Sequence, residues 1–126
     1  MFLDDDALAF LPYLLKKDYN IEVKGELIRL FLTTTTGRNV KVDIFGKCEK
    51  DGEEYTIIGV VKFRLTRKRI DKFITNKIEP FKDQYKNILP IMVTVNIGFP
   101  ETEEYAKSRG VIFYYSYHIA KLSAGL

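Results

Sequence analysis

The tight turn Lys50-Asp51-Gly52-Glu53-Glu54 lies between two runs that read as strands, Val40-Lys41-Val42-Asp43-Ile44-Phe45 and Tyr55-Thr56-Ile57-Ile58-Gly59-Val60-Val61-Lys62-Phe63. Asp-Gly between apolar runs is a strong short-range hairpin signal, so these strands are expected to be antiparallel neighbours. That excludes a Rossmann-type sheet, and no Gly-x-Gly-x-x-Gly loop is present to support one. Side chains alternate faces along a strand, so Val60 and Lys62 are expected on one side of the sheet.

The elements around the hairpin follow from periodicity. Ala7, Leu8, Phe10, Leu11, Leu14 and Leu15 fall at helical spacing in residues 6–17, with Lys16 and Lys17 where cations suit a helix C-terminus. Pro12 predicts either a kink or a regular helix that begins near it. Ile21, Val23 and the run from Leu27 to Leu32 predict a strand broken or bulged near Gly25, and Thr33 to Asn39 is turn material leading into the hairpin. Thr66 suits an N-cap. After it Ile70, Phe73, Ile74, Lys77, Ile78, Phe81, Tyr85 and Ile88 share one helical face, with Pro80 expected to kink or split the helix. Pro90 to Ile97 is almost continuously apolar, as in a parallel strand covered on both faces. Pro100 to Gly110 reads as a short helix and Val111 to Tyr117 as a last strand.

A length of 126 residues suits one domain, 1–126, with room for a core. No apolar run approaches the roughly 20 residues needed to span a bilayer. Asp4, Asp5 and Asp6 stand where a signal peptide needs basic residues, and the single cysteine, Cys48, has no intramolecular partner. A cytoplasmic protein is therefore expected. The net charge of +3 is mild, but Lys62, Arg64, Arg67, Lys68, Arg69 and Lys72 crowd into one stretch. The expectation is either a phosphate-facing patch or a solvated helix start.

Asp43 on one hairpin strand, with Val60 and Lys62 two apart on the other, resembles the site of the PD-(D/E)XK nuclease superfamily with its second acid replaced by valine. The wording from Tyr55 to Lys62, followed by Arg64-Leu65-Thr66-Arg67-Lys68, looks like an archaeal, Holliday-junction-resolvase-like branch carrying Glu where Val60 stands. The resemblance covers roughly residues 6 to 118. It implies an α/β fold with a restriction-endonuclease-like αβββαβ core, comprising an antiparallel three-strand meander, a parallel strand and an appended helix and strand. Chains resembling this branch often carry a long helical region ahead of the domain.

In intact members the resemblance implies Mg²⁺ or Mn²⁺ held by the acid at Asp43, the acid at position 60, a main-chain carbonyl corresponding to Val61, and a further acid on the first helix, here one of Asp4, Asp5 or Asp6. Glu26 is an alternative carboxylate. Lys62 would orient the attacking water or neutralise charge on the phosphate. A hard ion is bound chiefly by several oxygens, so cleavage should be lost or severely reduced with Val60 in place. Val60 fits a naturally inactive domain, an enzyme whose second acid has migrated, or an alteration at one position. Asp43 and Lys62 also fit a simple cross-strand ion pair.

The expected partner is DNA before RNA, held by Arg64, Arg67, Lys68, Arg69 and Lys72, with no membrane and no small-molecule substrate. The competing reading is a non-catalytic protein-interaction or homodimerisation module that uses an exposed strand edge or helices. Tyr114, Tyr115 and Tyr117 read as core and rim packing before a base-stacking platform, Cys48 as an ordinary strand or turn residue, and His118 as a strand-end residue.

Overall fold

The computed structural model describes residues 3–124. At the hairpin turn Asp51 and Gly52 take positive φ, 52° and 79°. This left-handed pair matches the twist of the strands it joins. The turn links β2 (Asn39–Lys50) to β3 (Glu53–Arg64), and β1 (Glu22–Thr33) pairs with β2 to complete an antiparallel meander. The register of β1 shifts after Lys24, and Gly25 has a φ of 76°, so the break expected near Gly25 is a bulge within one strand.

α1 (Leu3–Tyr19) begins earlier than the apolar spacing suggested, and it runs through Pro12. Proline inside a helix costs about 3 kcal/mol through its missing donor and its clash with the preceding turn. Ala7, Leu11, Leu14 and Leu15 are all buried on either side of it. Full burial of each leucine contributes roughly 1.5–3 kcal/mol, so the stripe outweighs the proline.

The Oγ1 of Thr66 accepts a hydrogen bond from Arg69 N–H at 3.2 Å and caps α2 (Arg67–Phe73). The helix expected to reach Ile88 stops much sooner. It widens into a π-helical turn over Ile74–Ile78, then tightens into a 3₁₀ turn over Glu79–Phe81 with Pro80 in its first positions. Ile88 instead opens β4 (Ile88–Asn96), which is parallel to β3. Pro90 is tolerated in this central strand because the other neighbour pairs only from Ile91 onward.

α3 (Pro100–Ser108) leads to β5 (Ile112–Tyr115). The last strand was expected to reach Tyr117, but the chain turns helical at Ser116 and forms α4 (Ser116–Ala124), which the apolar spacing had not revealed. His118 is therefore a helix residue rather than a strand end. Its Nδ1 accepts the Tyr115 N–H at 3.1 Å and closes the junction.

The sheet order is β1-β2-β3-β4-β5. α1 and α4 bury Leu11, Leu15 and Ile119 against Ile44, Ile57 and Val93 on one face. α2 and α3 bury Ile70, Phe73 and Ala106 against Val42, Ile58, Val60 and Met92 on the other. Cys48 is buried in the first of these layers, and its thiol is pushed up to about 11 by burial and then by Glu54. No helix among the described residues is long and apolar enough to cross a membrane.

The C-terminal tyrosines are polar anchors. Tyr114 donates to Asp18 Oδ2 at 2.7 Å, and Tyr115 donates to Glu103 Oε2 at 2.6 Å while accepting the Gly98 N–H at 3.0 Å. Burial, followed by the bond to Glu103, pushes the Tyr115 phenol up to about 12. The native state thus holds this proton more tightly than the unfolded chain, whose phenol titrates near 10. The stability it contributes is complete below that lower value and is lost as pH rises toward the higher one. Alkaline unfolding followed by circular dichroism should coincide with late tyrosinate absorbance in the parent protein, and Tyr115→Phe should lessen the steepness of that loss. An unchanged alkaline transition in Tyr115→Phe would contradict this assignment.

Candidate functional site

The ladder between β2 and β3 runs from Lys50 opposite Glu53 to Ile44 opposite Gly59. On the other side of β2, the step from Ile28 to Leu30 of β1 is matched by the longer step from Phe45 to Val42, so β2 carries an extra residue at Asp43-Ile44. A bulge of this kind bends a strand and re-aims a side chain. Here it brings the buried Asp43 carboxylate to the main chain of β3, where Oδ2 accepts the Val61 N–H at 2.8 Å. Gly59 holds β3 close to β4, since a Cβ there would lie 2.8 Å from the Ile91 carbonyl oxygen.

Beyond this point a groove of about 660 Å³ opens between the end of β3 and the helical segment that starts at α2. Val60, Val61 and Lys62 line it, although Val60 is fully buried against the α2 layer and Lys62 is exposed. Lys62, Arg64, Lys68, Arg69, Lys72 and Lys77 supply its charge, and among the described residues no acidic one lines it. Arg67 belongs to the same basic run but lies elsewhere, with its guanidinium 4.2 Å from the centre of the Tyr105 ring.

Lys77 is the residue that sequence reasoning passed over. It sits in the π-helical turn and donates from Nζ to the Lys41 carbonyl at 2.5 Å. Burial first, and then the Lys62 ammonium, push its pKa below the ordinary lysine range; the Asp43 carboxylate opposes that shift. The available signal was a lysine inside an apolar helical stripe.

The remaining candidate carboxylates are dispersed. Glu26 is exposed in the bulged part of β1. Asp4, Asp5 and Asp6 occupy the first turn of α1, and Asp5 Oδ1 is 2.8 Å from Arg29 Nη2. Among the described residues no three His, Cys, Asp or Glu side chains gather around a common metal position. The ion pairs among those residues join Lys24 to Glu49, Arg29 to Asp5 and Arg109 to Asp71, so Asp43 and Lys62 are not an ion pair. One carboxylate already engaged by a main-chain N–H, beside an apolar Val60 and two ammonium groups, is a poor donor set for Mg²⁺ or Mn²⁺.

No family model and no curated protein matches the chain. The chain is similar to a solved crystal structure described as "Protein of Unknown Function AF1548", with a TM-score of 0.53 and 16% sequence identity over 90% of this chain and 57% of that one. Identity this low speaks to the fold alone, a mixed α/β arrangement, and the chain spans little more than half of that protein's length.

As it stands, the chain should show no Mg²⁺- or Mn²⁺-dependent cleavage of linear or branched DNA. If the Asp43 region is a nuclease-like site, Val60→Glu, checked for a cooperative thermal melt because Val60 is fully buried, should produce Mn²⁺-dependent cleavage that Val60→Glu/Asp43→Ala lacks. Cleavage by the parent chain that disappears in Asp43→Ala would show that another acid serves the site. Absence of cleavage in all three would leave a binding module that only resembles a nuclease.

Proposed function

We propose that this chain is a nucleic-acid-binding domain of the restriction-endonuclease-like type, selective for DNA before RNA, whose cleavage site is inactive. The carrying observation is the groove lined by Lys62, Arg64, Lys68, Arg69, Lys72 and Lys77, with no acidic residue among its described lining. None of these cations belongs to an ion pair among the described residues. Uncompensated positive charge in a cleft attracts polyanions over long range, and neutralising phosphates releases condensed counterions. The nuclease-like part of the reading rests on the order of elements and on the resemblance around Asp43 and Lys62. Neither supplies a complete metal site, which is why binding without cleavage is proposed.

A protein-interaction or homodimerisation module is the second reading. It is favoured by the long edge strand β1, where Ile28 is 45% and Phe31 67% exposed. Edge strands with apolar side chains on show are ready pairing surfaces.

The deciding experiment measures affinity for unrelated duplexes across a range of salt. The parent protein should bind them alike, with log affinity falling linearly as log salt rises. Arg64→Ala/Lys68→Ala/Arg69→Ala should weaken binding uniformly and reduce the slope by about three, one for each lost phosphate contact. Unchanged affinity and slope in that variant would move the assignment to the β1 edge.

A further inference from the structure

We infer that Lys77, together with Lys62, forms a direct seat for a phosphodiester group at the place where the nuclease-like arrangement would otherwise hold a divalent ion, so that this groove binds a nucleic-acid backbone without metal. The inference rests on the nucleic-acid reading of the groove and specifies which of its cations take a phosphate.

The geometry begins with the π-helical turn Ile74–Ile78. Ile74 and Ile78 stay buried on either side, while Lys77 comes to line the groove with Lys62, Lys72 and Asn76. An ammonium group has three donors. One is spent on the Lys41 carbonyl, which fixes the Nζ in place, and two are left to point elsewhere. Lys77 is half-buried, and the charges of Lys62 and Lys41 act on it in the unfavourable sense. The Asp43 carboxylate, which acts on it in the favourable sense, is already engaged with the Val61 N–H.

Like charges brought together and partly desolvated are costly unless an anion sits between them. A phosphodiester supplies that anion and accepts N–H bonds from lysine. A divalent cation would do the reverse, adding positive charge beside two ammonium groups with one partly used carboxylate to offset it. Val60 adds an apolar wall and no donor.

The test measures binding of a duplex oligonucleotide by fluorescence anisotropy at constant ionic strength, in chelator and then in Mg²⁺. The proteins compared are the parent, Lys77→Gln, Lys77→Arg and the Arg64→Ala/Lys68→Ala/Arg69→Ala variant, each checked for a cooperative thermal melt. The parent should bind at least as tightly in chelator as in Mg²⁺. Lys77→Gln should lose roughly tenfold in affinity and about one unit of salt slope, and Lys77→Arg should recover most of both because the charge is kept. Two results would overturn the inference while leaving the groove reading intact. One is a requirement for Mg²⁺; the other is wild-type binding by a folded Lys77→Gln when the triple variant binds weakly. Undiminished binding by both Lys77→Gln and the triple variant would overturn the groove reading as well.

Discussion

The hydrogen bond from the Val61 N–H to the Asp43 carboxylate is the interaction on which the site depends. Two antiparallel strands ordinarily satisfy their main-chain groups with each other, but β2 and β3 separate after Ile44 and Gly59. A buried N–H left open at that point would cost about 1–3 kcal/mol, and a carboxylate acceptor gives a bond at the stronger end of the protein range. Asp43 thereby lets the strands diverge without an orphaned donor, and the groove begins where they diverge. It also gives Asp43 a structural role that needs no metal, which accounts for an aspartate standing opposite a position that carries valine.

The cations owe their placement to the same divergence. β3 carries Lys62 and Arg64 past the end of its ladder with β2, and the Thr66 cap starts α2 immediately afterwards, so Lys68, Arg69 and Lys72 come off the first turns of a helix facing that strand end. The π-helical turn then widens the helix by one residue and brings Lys77 toward β2, where it reaches the Lys41 carbonyl. π-turns inside helices are frequent at functional sites because they re-aim a single side chain at the expense of regular hydrogen bonding. Arg67, one position into the helix, points away and stacks on Tyr105, so adjacency in sequence did not mean adjacency in the groove.

Much of the fold was legible because its signals are local. Asp51-Gly52 specified the hairpin, Thr66 the start of α2, Gly25 the bulge of β1, and the apolar run of β4 its burial between two neighbours. Pro80 marked the end of the helical segment, but the π-turn before it leaves no pattern in a sequence read at one helical period. α4 escaped notice because Tyr114 to Tyr117 suits a strand by composition; the chain turns helical there through contacts such as the Tyr115 N–H to His118 bond. Of the groove, the closeness of Lys62, Arg64, Lys68, Arg69 and Lys72 was legible from their spacing. The bulge that re-aims Asp43 and the inward turn of Lys77 were not, since both arise from register and helix geometry rather than from residue type.

The proposed function requires a nucleic-acid backbone to lie in the groove between the end of β3 and α2. The most direct measurement is the map of backbone amide chemical-shift changes when a short DNA duplex is titrated into the protein in the presence of chelator. The largest changes should fall on the Lys62–Arg69 segment, on Lys72 and through the π-helical turn to Lys77, with β1 little affected. Changes concentrated along Glu22–Thr33, or none at saturating DNA, would contradict it.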